Sequence, residues 1–402
     1  MKKLFISYYN GDEEEIILLA EELKLRGIVP WIDKQGGYYL GDSAPEKARY
    51  AIRQECYGML FYATPRAFKR PFITNVELPE AIYLLEQSPG FILFAVPRYM
   101  DFKELSEMSI KILGTDLSTY HTQQIKNEDS KEQGLTINQF RNLADLVLRQ
   151  KIKAHSKDKI DEIFNFQFST RELLPWNENE LLCINAIKTI GNGSASDSQL
   201  NWERVVVGLK DVKAAVAENF GRPRLRIHGS KHLTAAYILG RVFSRPSGFI
   251  LDIRQGDDYW SSDYPDDGSE HFSVRVTDGS VNSQILFVEI TTTGKNVSNA
   301  VRERIRQTGD IPYQFIAFNK VNNESSRVMI DNRICMSMAR QIRDNIVRII
   351  AKSPVREIHI FSSIPQGLAV MIGYYLNAFP AIQLYEYDGV DYYPSFKIGT
   401  PF

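Results

Sequence analysis

The chain has 402 residues, 44% of them hydrophobic and 24% charged, with 48 basic side chains against 49 acidic ones. That composition suits two or three globular domains and excludes intrinsic disorder. The even charge balance disfavours a long nucleic acid as partner, because such binders present a basic field.

The first third alternates strand and helix. Leu4-Phe5-Ile6-Ser7 reads as a short buried strand. Asn10-Gly11-Asp12 then offers a helix start, with Glu13, Glu14 and Glu15 in the first turn, where the helix dipole favours anions. Ile16, Leu19, Ala20 and Leu23 share one helical face, and Gly27 is the expected stop. Ile28–Asp33 resumes as strand, and Lys34–Asp42, with Gly36, Gly37 and Gly41, reads as a loop. A helix over Ala44–Cys56, a strand over Met59–Tyr62, a helix over Phe72–Gln87 and a strand over Phe91–Val96 follow. This alternation predicts a parallel sheet covered by helices. Thr122–Gln133 is a polar interruption, and a helix over Ile137–Gln150 closes the domain. The linker is placed at His155–Lys159, which sets domains of residues 1–155 and 156–402.

The second part carries an internal repeat. Residues Ile227–Gly240 align without gaps on Ile360–Gly373, matching Ser230 with Ser363, Ala236 with Ala369 and Gly240 with Gly373. Each copy reads as strand, small-residue loop and helix, so a pseudo-symmetric pair of α/β halves is expected. A loop that feeds a helix N-terminus is either an anion site or simply a tight connection.

Cys56, Cys183 and Cys335 are far apart and odd in number, which argues against a disulfide framework or a cysteine zinc site and fits a cytoplasmic protein. The six histidines show no metal-binding spacing. No apolar run is long enough to cross a bilayer, and Met1–Ser7 does not read as a signal peptide.

Glu77 is the first candidate for chemistry. On a helix beside the carboxyl edge of the sheet, a carboxylate stabilises an oxocarbenium ion. The competing reading is a capping box over Thr74–Glu77, with Glu77 bonded to the backbone of Thr74. Glu80, one turn on, is the alternative active group.

Phe5-Ile6-Ser7-Tyr8, then Gly27–Asp33, the loop Lys34–Asp42, and Leu60–Pro65 running on to Val76-Glu77-Leu78 resemble, in that order, the boxes of a TIR domain. The resemblance implies a flavodoxin-like fold and an NAD⁺ nucleosidase that cleaves the nicotinamide–ribose bond, with Glu77 as the catalytic group. It implies a pocket shaped by Ser7, Tyr8 and Trp31, with Asp42 on a loop that meets a neighbouring subunit. His232–Tyr237, Asp258-Tyr259-Trp260 and Phe361–Ala369 resemble the SAVED domain, a fused pair of CARF-like halves. That resemblance implies a cyclic oligonucleotide, a cyclic oligoadenylate in particular, as activator.

Lys231, Trp260, Thr291, Thr292, Ser362, Ser363 and Gln366 are the candidate ligand contacts. Lys231 offers a point charge and Trp260 a stacking face, against the plain alternatives of a solvated loop and a core position. Thr293, Gly294 and Lys295 continue the threonine segment. Arg222, Arg224 and Arg226 share one strand face and are expected to pair with acids such as Asp252.

Together the two resemblances imply a ligand-activated NAD⁺ hydrolase of CBASS anti-phage defence. No metal or cofactor is expected, since NAD⁺ is substrate, and head-to-tail assembly into a filament is expected to complete the active site. The rival is a non-catalytic TIR scaffold under a sensor. Degradation of the ligand by the sensor half is disfavoured, because no nucleophile–base pair stands out there.

Overall fold

The computed structural model describes residues 2–32, 44–125, 133–156, 163–175, 180–191, 198–221, 223–266, 268–277, 282–292, 297–307, 309, 311–320 and 330–399. The chain divides into two compact units. The first comprises Met1–Lys159 and Trp176–Ile184, the second Ile160–Pro175 and Asn185–Phe402.

In the first unit the elements are β1 (Lys3–Ser7), α1 (Glu13–Leu25), β2 (Pro30–Trp31), α2 (Ala44–Tyr50), β3 (Cys56–Ala63), α3 (Leu78–Gln87), β4 (Ile92–Pro97), α4 (Phe102–Leu113), β5 (His121–Thr122) and α5 (Gln133–Ser156). All pairings are parallel, in the order β2-β1-β3-β4-β5. This is a doubly wound order, and the direction of winding reverses between β1 and β3. The central strands are buried on both faces, which explains continuous apolar runs such as Met59–Tyr62.

Three elements differ from the sequence reading. The helix expected over Ala44–Cys56 widens from α2 into a π turn over Ala51–Glu55, and Cys56 already opens β3. The strand expected over Ile28–Asp33 is confined to Pro30–Trp31 among the described residues. The amphipathic α4 was not anticipated. Its start is marked by a capping box in which the Asp101 side chain accepts from the Glu104 N–H, and Glu104 accepts from Asp101 in return. Gly27 ends α1 at φ 78°, the left-handed conformation that glycine adopts without a Cβ clash.

The further elements are β6 (Ile163–Ser169), β7 (Leu182–Asn185), α6 (Ile187–Ile190), α7 (Ser198–Asn219), β8 (Arg224–His228), α8 (Leu233–Val242), β9 (Ile250–Gln255), β10 (Asp258–Ser261), β11 (Phe272–Thr277), β12 (Ile285–Thr291), α9 (Ser298–Gln307), β13 (Tyr313–Lys320), α10 (Cys335–Ile350), β14 (Glu357–Ser363), α11 (Gln366–Tyr375), β15 (Ala381–Tyr387) and β16 (Tyr392–Ile398). One sheet of the second unit contains the order β10-β9-β8-β6, the other runs β11-β13-β12-β14-β15-β16.

The repeat noted in the sequence becomes two lobes. In each, a parallel strand (β8 or β14) leads through a short loop into a helix (α8 or α11), then into a strand parallel to the first, which ends in an antiparallel hairpin (β9–β10 or β15–β16). The helices α8 and α11 pack directly on each other at Gly240 and Gly373, where a Cβ would strike the facing backbone.

All three cysteines are buried, and none is in a disulfide. Among the described residues no helix is long and apolar enough to cross a membrane, and no group of His, Cys, Asp and Glu is arranged to hold a metal.

Candidate functional site

Two arrangements stand out, one in each unit. The first lies at the carboxyl end of β1. Ser7 closes that strand, opposite Phe61 of β3, beside the point where the winding reverses. Open α/β sheets take ligands in the crevice at such a point. The Ser7 hydroxyl donates to Glu77 Oε2 at 2.5 Å. Both groups are largely buried, with Glu77 7% exposed.

The local backbone explains how Glu77 gets there. Residues Ile73–Glu77 form a π turn that runs into α3, and Pro79 follows inside the first turn of α3. Proline supplies no N–H and its ring crowds the preceding turn, so the regular α-helical ladder is interrupted there. Wide turns of this kind occur often at functional positions.

The capping-box reading of Glu77 is corrected by this geometry. Thr74 does not start the helix: its N–H donates to the Arg70 carbonyl, as does its hydroxyl. Glu80, the alternative active group, is held in a two-pronged ion pair by Arg53, through Nε to Oε1 and through Nη2 to Oε2 at 2.8 Å.

Around the same edge, the Thr64 hydroxyl bridges the Asp12 carboxylate and the Ala67 N–H. Burial raises the Asp12 carboxyl above its ordinary range. Tyr9 lies under the guanidinium of Arg70, 4.6 Å from the ring centroid. Glu15 is the hub of a separate network. It accepts from Tyr62, from Tyr99 and, in two places, from Arg98, which together hold its carboxyl below the ordinary range despite burial.

Trp31 is a core residue, stacked on Phe5 at 4.6 Å between centroids and 7% exposed. Tyr8 is half-buried, next to Ser7 in the chain. Asp42 and the loop Lys34–Asp42 lie outside the described residues.

The second arrangement is a cleft of about 700 Å³ in the second unit. That volume suits a small-molecule ligand. Both repeat loops line it: Lys231 from the first, and Ser362, Ser363 and Gln366 from the second. Gln366 Nε2 donates to the Lys231 carbonyl at 2.6 Å and so ties the loops together.

Lys231 does not stand as a solvated loop lysine. It is 1% exposed, its Nζ donates to the Gly229 carbonyl at 2.7 Å, and burial pushes its pKa down to about 7.

Trp260 is not among the lining residues. Its indole lies under the first turn of α11, where a Cβ on Gly367 would meet it at 2.5 Å. Thr291 and Thr292 are not among the lining residues either, and lie beside Ser363. Thr291 pairs with Ser363 in the sheet, and the Thr292 N–H donates to the Ser363 carbonyl. Thr293, Gly294 and Lys295 lie outside the described residues, as does Arg222. Arg224 and Arg226 face Asp252, at 3.0 Å and 4.0 Å, as the strand spacing predicted.

Sequence reading overlooked five lining residues: Arg171, Gln255, Glu386, Tyr387 and Tyr392. A signal for the last was present. The repeat continues at the same offset, with Gly256, Asp258 and Tyr259 matching Gly389, Asp391 and Tyr392. Both glycines turn at positive φ into the second strand of their hairpins.

The match to a known family falls within the second unit. Residues 209–398 match the profile of the SAVED family, described as a SMODS-associated and fused to various effectors sensor domain. Curated relatives include CD-NTase-associated protein 4 of Moraxella osloensis, 24% identical over 213 residues, or 52% of this chain and 43% of that protein. A protein of the same name from an Acinetobacter species is 22% identical, over 52% of this chain and 44% of its own length. The similarity thus spans less than half the length of these relatives. Among solved structures, the Acinetobacter baumannii Cap4 SAVED/CARF-domain containing receptor with the cyclic trinucleotide 2′3′3′-cAAA is similar over 96% of this chain and 98% of its own, at 14% identity and a TM-score of 0.49. The Moraxella osloensis Cap4 receptor gives 13% identity and 0.45, over 96% and 98%.

Proposed function

We propose that the chain is a cyclic-oligonucleotide-gated NAD⁺ hydrolase of CBASS anti-phage defence. Its second unit acts as receptor, and its first, read as a TIR-like effector, carries the chemistry. The receptor half of this reading is supported by the sensor-domain profile over residues 209–398 and by the cleft that both repeat loops line.

The effector half rests on one observation, the Ser7–Glu77 contact at the reversal point of the first sheet. In NAD⁺ the nicotinamide is already cationic. When the C–N bond to ribose breaks, the bonding pair leaves with nicotinamide, which becomes neutral, and positive charge develops at the anomeric carbon. A carboxylate there stabilises that charge. Water then adds to the carbon and releases a proton, giving nicotinamide and ADP-ribose. Ser7 holds the carboxylate in place by donating to one oxygen, so little reorganisation is needed during reaction.

Ligand gating requires that the activator favour one state over another. The reading assigns this to head-to-tail assembly, in which the loop containing Asp42 meets a neighbouring copy. A contact of that heterologous kind propagates into a filament.

The test is NAD⁺ depletion by the full chain with a panel of cyclic di- and trinucleotides, cyclic triadenylates among them, in wild type and Glu77→Gln. The reading requires ligand-dependent depletion in wild type that the variant abolishes. Sedimentation in the same samples must show growth on adding the activating ligand. Depletion by a protein that stays monomeric removes the filament, and the absence of depletion under every ligand removes the enzyme.

A further inference from the structure

The two lobes of the second unit close each other's helix ends. Thr234 is the second residue of α8, and its N–H donates to Glu386 Oε1 at 2.5 Å. Gly367 is the second residue of α11, and its N–H donates to Gln255 Oε1 at 3.0 Å. Glu386 belongs to β15, the strand that follows α11, while Gln255 ends β9, the strand that follows α8. The exchange is reciprocal in geometry and unequal in charge: a carboxylate sits on one helix and a neutral amide on the other. All of these acceptors face the cleft of about 700 Å³ described above.

First-turn N–H groups have no partner within their own helix and carry the positive end of its dipole. Left bare in a closed corner, each costs free energy, so an empty receptor needs stand-ins for the ligand's oxygens. Glu386 is 2% exposed. Burial raises its carboxyl above the ordinary range, against the helix N–H groups and Arg171, whose Nη2 lies 3.4 Å away. A phosphodiester that approached α8 would meet this buried carboxylate. The same group at α11 need displace only an amide, and there it finds Ser362, Ser363 and Gln366 as well.

We propose that Glu386 reserves the α8 corner against phosphate, so that a ligand phosphodiester is confined to the α11 corner, where Gln255 gives up its place. This rests on reading the second unit as a cyclic-oligonucleotide receptor. Two lobes of one design thus take their ligand in a single orientation, and Glu386 raises the ligand concentration at which the receptor responds.

The test is calorimetric titration of the full chain with 3′3′3′-linked cyclic triadenylate, in wild type, Glu386→Gln and Gln255→Glu. Glu386→Gln makes the two corners alike and binds at least tenfold more tightly. Gln255→Glu places a carboxylate in the second seat as well and binds at least tenfold more weakly. Lost structure cannot tighten binding, so the gain in Glu386→Gln separates this role from a merely structural one. Wild-type binding with Glu386→Gln equal or weaker overturns the inference and leaves the receptor reading standing. Failure of wild type and both variants alike to bind any cyclic di- or trinucleotide removes the receptor reading, and this inference with it.

Discussion

Gly240 and Gly373 occupy equivalent places in the two lobes, and each makes room for the other lobe's backbone. A Cβ on Gly240 would run into the Val370 carbonyl oxygen, and one on Gly373 into that of Tyr237. Tyr237 and Val370 are themselves matched by the repeat, so the contact is self-complementary, as across a two-fold axis. The close approach of α8 and α11 brings the loops before them to the same cleft.

Gly240→Ala and Gly373→Ala therefore destabilise the second unit. Helix propensity alone predicts the opposite, a gain of about 1 kcal/mol. Forcing apart two packed backbones outweighs it, for an expected net loss of about 2 kcal/mol in each variant. The double variant loses less than the two together, because one separation of the helices relieves both clashes. Urea unfolding measures all three, and a more stable single variant contradicts the close approach.

Glu77 and Glu80 differ in their commitments, and turnover separates them. Glu77→Gln lowers NAD⁺ cleavage by about 100-fold or more, the scale set by loss of an aligned electrostatic group. Glu80→Gln weakens the Arg53 pair but leaves turnover nearly unchanged, since the buried Glu80 carboxylate is committed to that guanidinium through both oxygens. Ser7→Ala lowers kcat about tenfold with little change in KM, as expected of a positioning residue. The reverse ranking of the two glutamates moves the chemistry to position 80.

Trp260 supports the cleft from beneath. Trp260→Ala costs about 3–5 kcal/mol by cavity formation, and ligand binding falls with the fold. Trp260→Phe keeps a ring against Gly367 and preserves ligand affinity. A stable Trp260→Phe variant with much weaker binding shows instead that the indole touches ligand.

His232 makes stability depend on pH. Burial, followed by the nearby Arg171 charge, depresses its pKa from 6.5 to about 4. The unfolded chain therefore binds a proton below pH 6.5 that the folded chain refuses until about pH 4. Stability falls as pH drops through that window, and the His232 contribution to the loss is complete near its lower end. The Thr170 hydroxyl, 2.9 Å from Nδ1, faces the ring. His232→Gln flattens the fall of the melting temperature between pH 6.5 and 4, and a slope equal to wild type contradicts the depressed value.

Much of the fold was legible in local pattern. Runs such as Leu4–Ser7 and Met59–Tyr62 announce strands because both faces are buried, and Gly27 announces a helix end because its φ suits only glycine. The α4 capping box was present in Asp101–Glu104 and went unread. The candidate sites were legible only in part. Lys231, Ser362, Ser363 and Gln366 do meet in one cleft, since the repeat placed them on equivalent loops. Trp31 and Trp260 look identical in sequence to exposed stacking platforms, and packing alone assigns them to the interior.

The sequence by itself determined the alternation of strands and helices, the two repeat loops and the carboxylate at position 77, because each is written in residues close together along the chain. Which carboxylate Arg53 holds, and which corner of the cleft holds a negative charge, were decided only by tertiary structure. Arg53 reaches Glu80 and Glu386 reaches Thr234 across long stretches of chain. Contacts of that reach depend on how strands and helices pack, and no local pattern encodes them.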